Sequence, residues 1–366
     1  MAFEPLKYIY EKPFAYNFGK ALKKINTSVD ITILEKEIYS ENWEKLELKE
    51  RMKHLTSILH KYLNSNFEKA SLQIIELISC LDSKDYKYSA LAFLFLPDYI
   101  ETYGKQHFEI SMKTIENITA FSTCEFAVRP FIKHNPERAF EILYSWSRHK
   151  NFHLRRLASE GCRPKLPWAM ALKDLQKDPS PIIPILENLK NDSEDYVYRS
   201  VANNLNDISK NHPELVLNLC AKWKGKSKNT DWLVKHALRT LLKAGNQKAM
   251  KIFGYGNDKN ISIQNFKLKN VNVKIGTYLE FSFELQNKKK ALNRLEYAIY
   301  FRKQNGDLGK KVFKISEKEY QAASLNLINK KHSFKIISTR KYHKGEHQIS
   351  IIINGIEKGL KKFNLV

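Results

Sequence analysis

The spacing of apolar residues changes once along this chain, and that change constrains the fold more than any other feature. Between residues 31 and 252 apolar side chains recur every three or four positions, with breaks near Asn64, Pro97, Pro136, Pro179 and Pro213. That is the period of amphipathic helices. At Gly254-Tyr255-Gly256-Asn257-Asp258 the helical signal stops, and two glycines with Asn and Asp predict a flexible junction. Beyond it the period is two. Val271, Val273 and Ile275 alternate with polar residues, as do Leu279, Phe281, Phe283 and Leu285, and later Ile349, Ile351 and Ile353. Turn signals fall at Asn305-Gly306-Asp307 and Asn354-Gly355. The expectation is a mainly α chain: a helical domain over residues 1–256, then a small β-sandwich of six or seven short strands over residues 260–366.

The helical part repeats itself. Over residues 196–210, Val197, Val201, Leu205 and Ile208 make an apolar stripe and Arg199, Asn203 and Asp207 a polar one, preceded by the capping and acidic residues Asp192, Ser193, Glu194 and Asp195. Residues 154–163 align with this segment from 44 positions upstream, Ala158 on Ala202. Residues 232–243 align from 36 positions downstream, Trp232 on Tyr196. Helix pairs at that period predict an α-solenoid of the HEAT type, whose second helices line a concave face. Placing the polar stripes there puts Arg155, Arg163, Lys165, Arg199, Asn203, Lys235, His236 and Arg239 along one wall, with His236 and Arg239 on one helix face where they grip a phosphate together. A solvated face explains any single stripe equally well. Arg or Asn at matching positions in three successive repeats favours a binding wall.

Charge names the partner. The chain carries 62 Lys and Arg against 39 Asp and Glu, net +23. Residues 260–366 alone hold 22 basic and 8 acidic side chains, net +14. Such an excess calls for a polyanion, with nucleic acid first and an anionic membrane surface second. No apolar run approaches the roughly 20 residues of a membrane span, and residues 1–20 lack the apolar stretch of a secretion signal. A cytoplasmic protein is expected, associated with the nucleoid when bound to DNA. Cys80, Cys124, Cys162 and Cys220 lie far apart, without CxxC or Cys/His spacing, so neither a disulfide framework nor a zinc site is indicated. The absence of a Gly-rich phosphate loop, a GxSxG elbow and HExxH counts against nucleotide hydrolysis, serine hydrolysis and zinc proteolysis.

Chemistry concentrates in Ala158-Ser159-Glu160-Gly161-Cys162-Arg163-Pro164-Lys165-Leu166-Pro167-Trp168. A carboxylate, an arginine and a tryptophan sit where a helix breaks at two prolines, so Arg163, Lys165 and Trp168 are expected to project from the helix end into a groove. Carboxylate and indole attract a cationic aromatic ligand while the basic residues hold phosphate. A methylated nucleobase in DNA is such a ligand. Glu125, at a helix start among apolar residues, is either a dipole partner or a desolvated carboxylate with a chemical role. In the solenoid Glu125, Glu160 and Asp207 fall on consecutive second helices. Their convergence is what glycosidic cleavage requires, because an oxocarbenium-like sugar gains positive charge while a water is aligned to attack it. Trp223 and Trp232 read as packing residues, and His134, His149 and His153 as structural or solvated.

These segments, with Phe95-Leu96-Pro97-Asp98-Tyr99-Ile100-Glu101, Cys124-Glu125-Phe126-Ala127-Val128-Arg129-Pro130-Phe131 and Arg199-Ser200-Val201-Ala202-Asn203-Asn204-Leu205-Asn206-Asp207, resemble the AlkC group of bacterial DNA alkylation-repair glycosylases, relatives of AlkD in the HEAT-like repeat superfamily. The resemblance spans roughly residues 1–256 and includes Trp232, His236 and Arg239. Some members carry a C-terminal immunoglobulin-like domain, which residues 260–366 resemble, and Tyr342 ahead of a strand is similar to the tyrosine corner of such domains. The resemblance implies removal of 3-methyladenine and 3-methylcytosine from duplex DNA by hydrolysis of the N-glycosidic bond without metal or organic cofactor, on bent DNA and without swallowing a flipped base; a monomer is expected. It makes Glu125, Glu160, Asp207 and Trp168 the catalytic set. Two other readings compete: a non-catalytic HEAT-like protein that binds damaged or branched DNA, and a protein-interaction solenoid, whose DNA affinity would depend little on salt.

Overall fold

A computed structural model describes residues 5–40, 42–81, 89–256, 258–337 and 340–366 of the chain. Asn257 of the glycine-rich junction lies outside them. Two compact units form, the first from Met1–Asn211 with Gly225–Ala237, the second from His212–Lys224 with Leu238–Val366. This division does not follow the change of period, because the last helices belong with the β-sandwich.

In the first unit an aromatic core gathers Tyr10, Phe14, Phe18, Phe93 and Phe95, all buried. Further along, the helices Phe152–Gly161, Asp195–Ile208 and Lys228–Ala237 pack side by side in sequence order. Their apolar stripes are the reason. Leu154, Leu157 and Ala158, then Val197, Val201 and Leu205, then Leu233 and Val234 are all buried, each large side chain contributing about 1.5–3 kcal/mol. Small residues bring the first two helices close, and buried hydrogen bonds fix their register. Ser200 Oγ donates to Ser159 Oγ at 3.0 Å and Asn204 Nδ2 to the Ser159 carbonyl at 2.8 Å. The segment 232–243, expected as one helix, breaks at Leu238; a separate short helix runs Arg239–Lys243. His236 and Arg239 therefore lie on different helices, one in each unit.

Among its described residues the second unit holds the helices Pro213–Trp223, Arg239–Lys243 and Gln247–Ile252 and eight strands: β1 Ile261–Leu268, β2 Asn272–Val273, β3 Tyr278–Asn287, β4 Ala291–Arg302, β5 Leu308–Tyr320, β6 Ser324–Ser333, β7 Gly345–Ile353 and β8 Ile356–Leu365. They form two sheets, β1-β3-β6 and β2-β8-β7-β4-β5, with every pair antiparallel except β2 with β8. Leu279, Phe281, Phe283 and Leu285 of β3 and Ile349, Ile351 and Ile353 of β7 supply the core between them, as the alternation requires.

Three local expectations are corrected. Val271 and Ile275 stay outside the strands, since β2 is only Asn272–Val273 and Val271 is exposed. Tyr342 gives its ring to the core, 5.3 Å from Phe334, but its hydroxyl makes no tyrosine-corner hydrogen bond to any of the described residues. Nor does the chain run freely through residues 254–256. Gly256 N–H donates to the Leu292 carbonyl at 2.9 Å, Asn354 Nδ2 to the Gly256 carbonyl at 2.7 Å and Tyr255 Oη to Glu317 at 2.8 Å. The Asn354-Gly355 turn of the β7–β8 hairpin, both residues at positive φ, sits so close to Gly245 that a Cβ on Gly355 would lie 2.7 Å from the Gly245 Cα.

His332 in β6 makes this sandwich acid-sensitive. It is buried, its Nδ1 pairs with Tyr297 Oη at 2.9 Å, and its Nε2 has no partner among the described residues. Burial, with Arg340 nearby, pushes its pKa down to about 4. Above pH 6.5 the ring is neutral folded and unfolded. As pH falls from 6.5 towards 4 the unfolded chain takes the proton and the folded one does not, so stability declines by roughly 3 kcal/mol across that window. Calorimetry at pH 7.5 and pH 5 should show the β-unit losing more stability in the wild type than in His332→Phe; equal losses would remove His332 as the cause.

Candidate active site

Six charged side chains alternate along a line in the first unit. Glu125 sits in the turn before the helix Arg129–His134, largely buried, with Thr123 Oγ1 donating to its Oε2 at 3.1 Å. Arg156 forms an ion pair through that same oxygen, donates to Thr123 Oγ1 at 2.7 Å and reaches Glu160 Oε1 at 3.7 Å. Arg163 Nη1 donates to Glu160 Oε1 at 2.5 Å, while its Nε and Nη2 both lie 2.9 Å from Asp207 Oδ2. Lys210 closes the row at 3.0 Å from Asp207 Oδ1.

Local structure explains the alignment. The helix Phe152–Gly161 presents Arg156 and Glu160 one turn apart on the side facing the Glu125 turn. Gly161 permits that approach, because a Cβ there would lie 2.5 Å from Val128 Cγ1. Asp207 comes from the neighbouring helix Asp195–Ile208 and is 3% exposed. Burying Glu160 and Asp207 without cations would be prohibitive, and Arg163 is the cation they share. Burial pulls the guanidinium pKa of Arg156 and of Arg163 down. The carboxylates beside each outweigh it and raise both. Glu125 Oε1 has no hydrogen-bond partner among the described residues and is left to accept one.

Trp168 stands outside this row, 66% exposed, in a loop the sequence bends at Pro164 and Pro167. Arg129 anchors the loop. Fully buried, it donates through Nε to the Met170 carbonyl at 2.7 Å and through Nη1 to the Gly161 and Arg163 carbonyls at 2.8 and 2.9 Å. Burial pushes its pKa down to about 10, and three carbonyl dipoles offset the cost.

The expected phosphate wall is only partly assembled. Arg155 is spent: its guanidinium pairs with both oxygens of Asp192, at 2.6 and 3.0 Å, and with the His149 and Lys150 carbonyls. Arg163 is not on the rim but buried between two carboxylates. Lys165 is half-buried and donates to Asn211 Oδ1 at 2.6 Å. Arg199, Asn203 and His236 do form one patch, centred on Trp232. Arg199 lies 4.8 Å over the indole, His236 stacks on it at 4.9 Å and pairs with Asn203 Oδ1 at 3.1 Å. Lys235 and Arg239 are half-buried.

A family model described as DNA alkylation repair enzyme matches residues 51–241, and one described as the C-terminal Ig-like domain of the uncharacterised protein YhaZ matches residues 262–366. The chain belongs to the DNA alkylation repair enzyme family. It is of the AlkC type, with a C-terminal immunoglobulin-like domain. Uncharacterized protein YhaZ of Bacillus subtilis (strain 168) is 43% identical over 325 residues, 89% of each chain. The solved structure of the Pseudomonas fluorescens alkylpurine DNA glycosylase AlkC, bound to DNA containing an abasic site analog, superposes with a TM-score of 0.93 at 32% identity, covering 99% of this chain and 100% of that one.

In this AlkC-type chain, sequence reasoning missed Arg156, Tyr196, Arg129 and the Trp232 platform. Tyr196 lies under Arg156, guanidinium to ring centroid 4.6 Å, and holds it towards Glu125. Among the described residues no cluster of His, Cys, Asp or Glu is arranged to hold a metal ion, and no helix is long and apolar enough to cross a membrane.

Proposed function

We propose that this chain is a monofunctional DNA glycosylase that excises cationic N3-methylated bases, 3-methylcytosine and 3-methyladenine, from duplex DNA. The row Glu125–Arg156–Glu160–Arg163–Asp207 carries the reading. Methylation at N3 makes the base a cation, so it departs as a neutral molecule and needs no general acid. What the reaction requires is stabilisation of a positive sugar and a directed water. Glu125 meets both needs: Oε2 is fixed by Arg156 and Thr123, and Oε1 remains to accept a proton from water. Asp207 adds negative charge, and Glu160, between two arginines, keeps the row in register. The exposed indole of Trp168 packs on the deoxyribose or the charged base. An indole that stands out from its loop suits a lesion approached on bent DNA without full base flipping.

Lys165, Arg199, Asn203, Lys235, His236 and Arg239 hold the backbone in this reading, and the β-unit with its excess of lysine clamps the duplex. The enzyme acts as a monomer in the cytoplasm. The test is incubation of the purified protein with a duplex containing one 3-methylcytosine, followed by chromatography of the freed base. The expected outcome is free 3-methylcytosine and an abasic site in an intact strand, with affinity for DNA falling steeply as salt rises. Tight DNA binding with no released base would make the protein a non-catalytic binder of damaged DNA.

A further inference from the structure

The indole of Trp168 is held by a residue that no motif points to. Trp168 has a φ of 65°, a left-handed backbone that a bulky residue adopts only where its surroundings impose it. Arg129 secures the loop on either side, at Arg163 and Met170. Trp168 itself is held by Lys49, from the helix Leu48–Tyr62, whose ammonium donates to the Trp168 carbonyl. The same ammonium lies 5.5 Å over the ring of Phe126, the residue after Glu125. One cation therefore joins the loop bearing the indole to the turn bearing the carboxylate.

Behind this joint is a cavity of about 280 Å³, lined by Lys49, Lys53, Asp98, Glu101, Phe126 and Trp168 among others. Asp98 is buried and accepts from Thr56 Oγ1 at 2.7 Å. Burial pushes the carboxyls of Asp98 and Glu101 up, and Lys49 and Lys53 act on both in the opposite sense. Lys49 is exposed, but its ammonium is engaged by the Trp168 carbonyl, the Phe126 ring and the two carboxyls, which keep it beside the loop and the turn. Without it the cavity gives the indole room to swing.

We propose that Lys49 is a positioning residue, which sets the indole of Trp168 against the turn that carries Glu125 and so governs the rate of base excision and not the affinity for DNA. This rests on the glycosylase reading above. The test compares Lys49→Met, Lys49→Arg, Trp168→Ala and the double variant Lys49→Met with Trp168→Ala, in single-turnover excision with affinity measured separately. Lys49→Met should slow excision roughly ten- to a hundredfold at unchanged affinity, Lys49→Arg should recover most of the rate, and the double variant should be no slower than Trp168→Ala. A loss confined to affinity, or losses that multiply in the double variant, would make Lys49 a phosphate contact and overturn the proposal.

A spectroscopic readout separates this from the parent reading. With 5-fluorotryptophan the five tryptophans give separate 19F lines, and Trp168→Phe assigns the one at issue. Lys49→Met should move or broaden that line and leave the other four in place. If the wild type releases no base, the glycosylase reading fails. An active wild type whose Trp168 line is untouched by Lys49→Met sinks the role of Lys49 alone.

Discussion

Replacing Arg163 with methionine is expected to lower the melting temperature of the protein by roughly 10 °C and to abolish base excision. Arg163 is 7% exposed and its guanidinium bridges Glu160 and Asp207, which are 5% and 3% exposed. Removing one partner from a buried ionic group leaves uncompensated charge and costs about 3–5 kcal/mol, and each kcal/mol shifts the midpoint of a unit this size by roughly 2–4 °C. Methionine matches the length of the stem, so lost packing accounts for little of the effect. Adding Glu160→Gln and Asp207→Asn to Arg163→Met removes the stranded charges and should restore much of the stability without restoring excision. A melting temperature within about 2 °C of the wild type for Arg163→Met would show that the two carboxylates are not buried together against this arginine.

The two-period pattern was enough to read the helical repeat, the β-sandwich and their order, because burial of one face is what each period encodes. Val197, Val201 and Leu205, and Leu279, Phe281, Phe283 and Leu285, are all buried as their spacing requires. Polar neighbours were harder to place. Arg155 and Arg156 are one position apart, and on a helix that is about a 100° turn. Repeat alignment put Arg155 on the wall, yet Arg155 pairs with Asp192 and Arg156 reaches Glu125. Only the positions of Glu125 and Asp192, each in a connection before another helix, decide between them.

Arg163 shows the same limit. A residue before proline at a helix end reads as exposed, and the reason it folds inward is Asp207, 44 residues later, on the neighbouring helix. Trp232 reads as a packing residue in the sequence; Arg199 from the helix Asp195–Ile208 and His236, one turn along its own helix, turn it into a half-exposed platform. Lys49 carries no local signal at all, since its partner Trp168 lies 119 residues away.

Glu125→Gln is the substitution that isolates the chemistry. Glutamine keeps the shape, and its amide oxygen can still accept from Arg156 and Thr123, so the turn and the row of side chains should persist with little change in stability. The negative charge is lost, and with it the stabilisation of the sugar cation and the base that orients water, which together are worth about 10²–10⁴ in rate. Because the substituted group is anionic and, in the proposed reading, faces DNA, its removal should leave affinity unchanged or slightly improved. The decisive measurement is the single-turnover rate of 3-methylcytosine release by Glu125→Gln, set beside its affinity for the same duplex. The account predicts a rate at least about a hundredfold below wild type with binding intact; release at the wild-type rate with intact binding would contradict it.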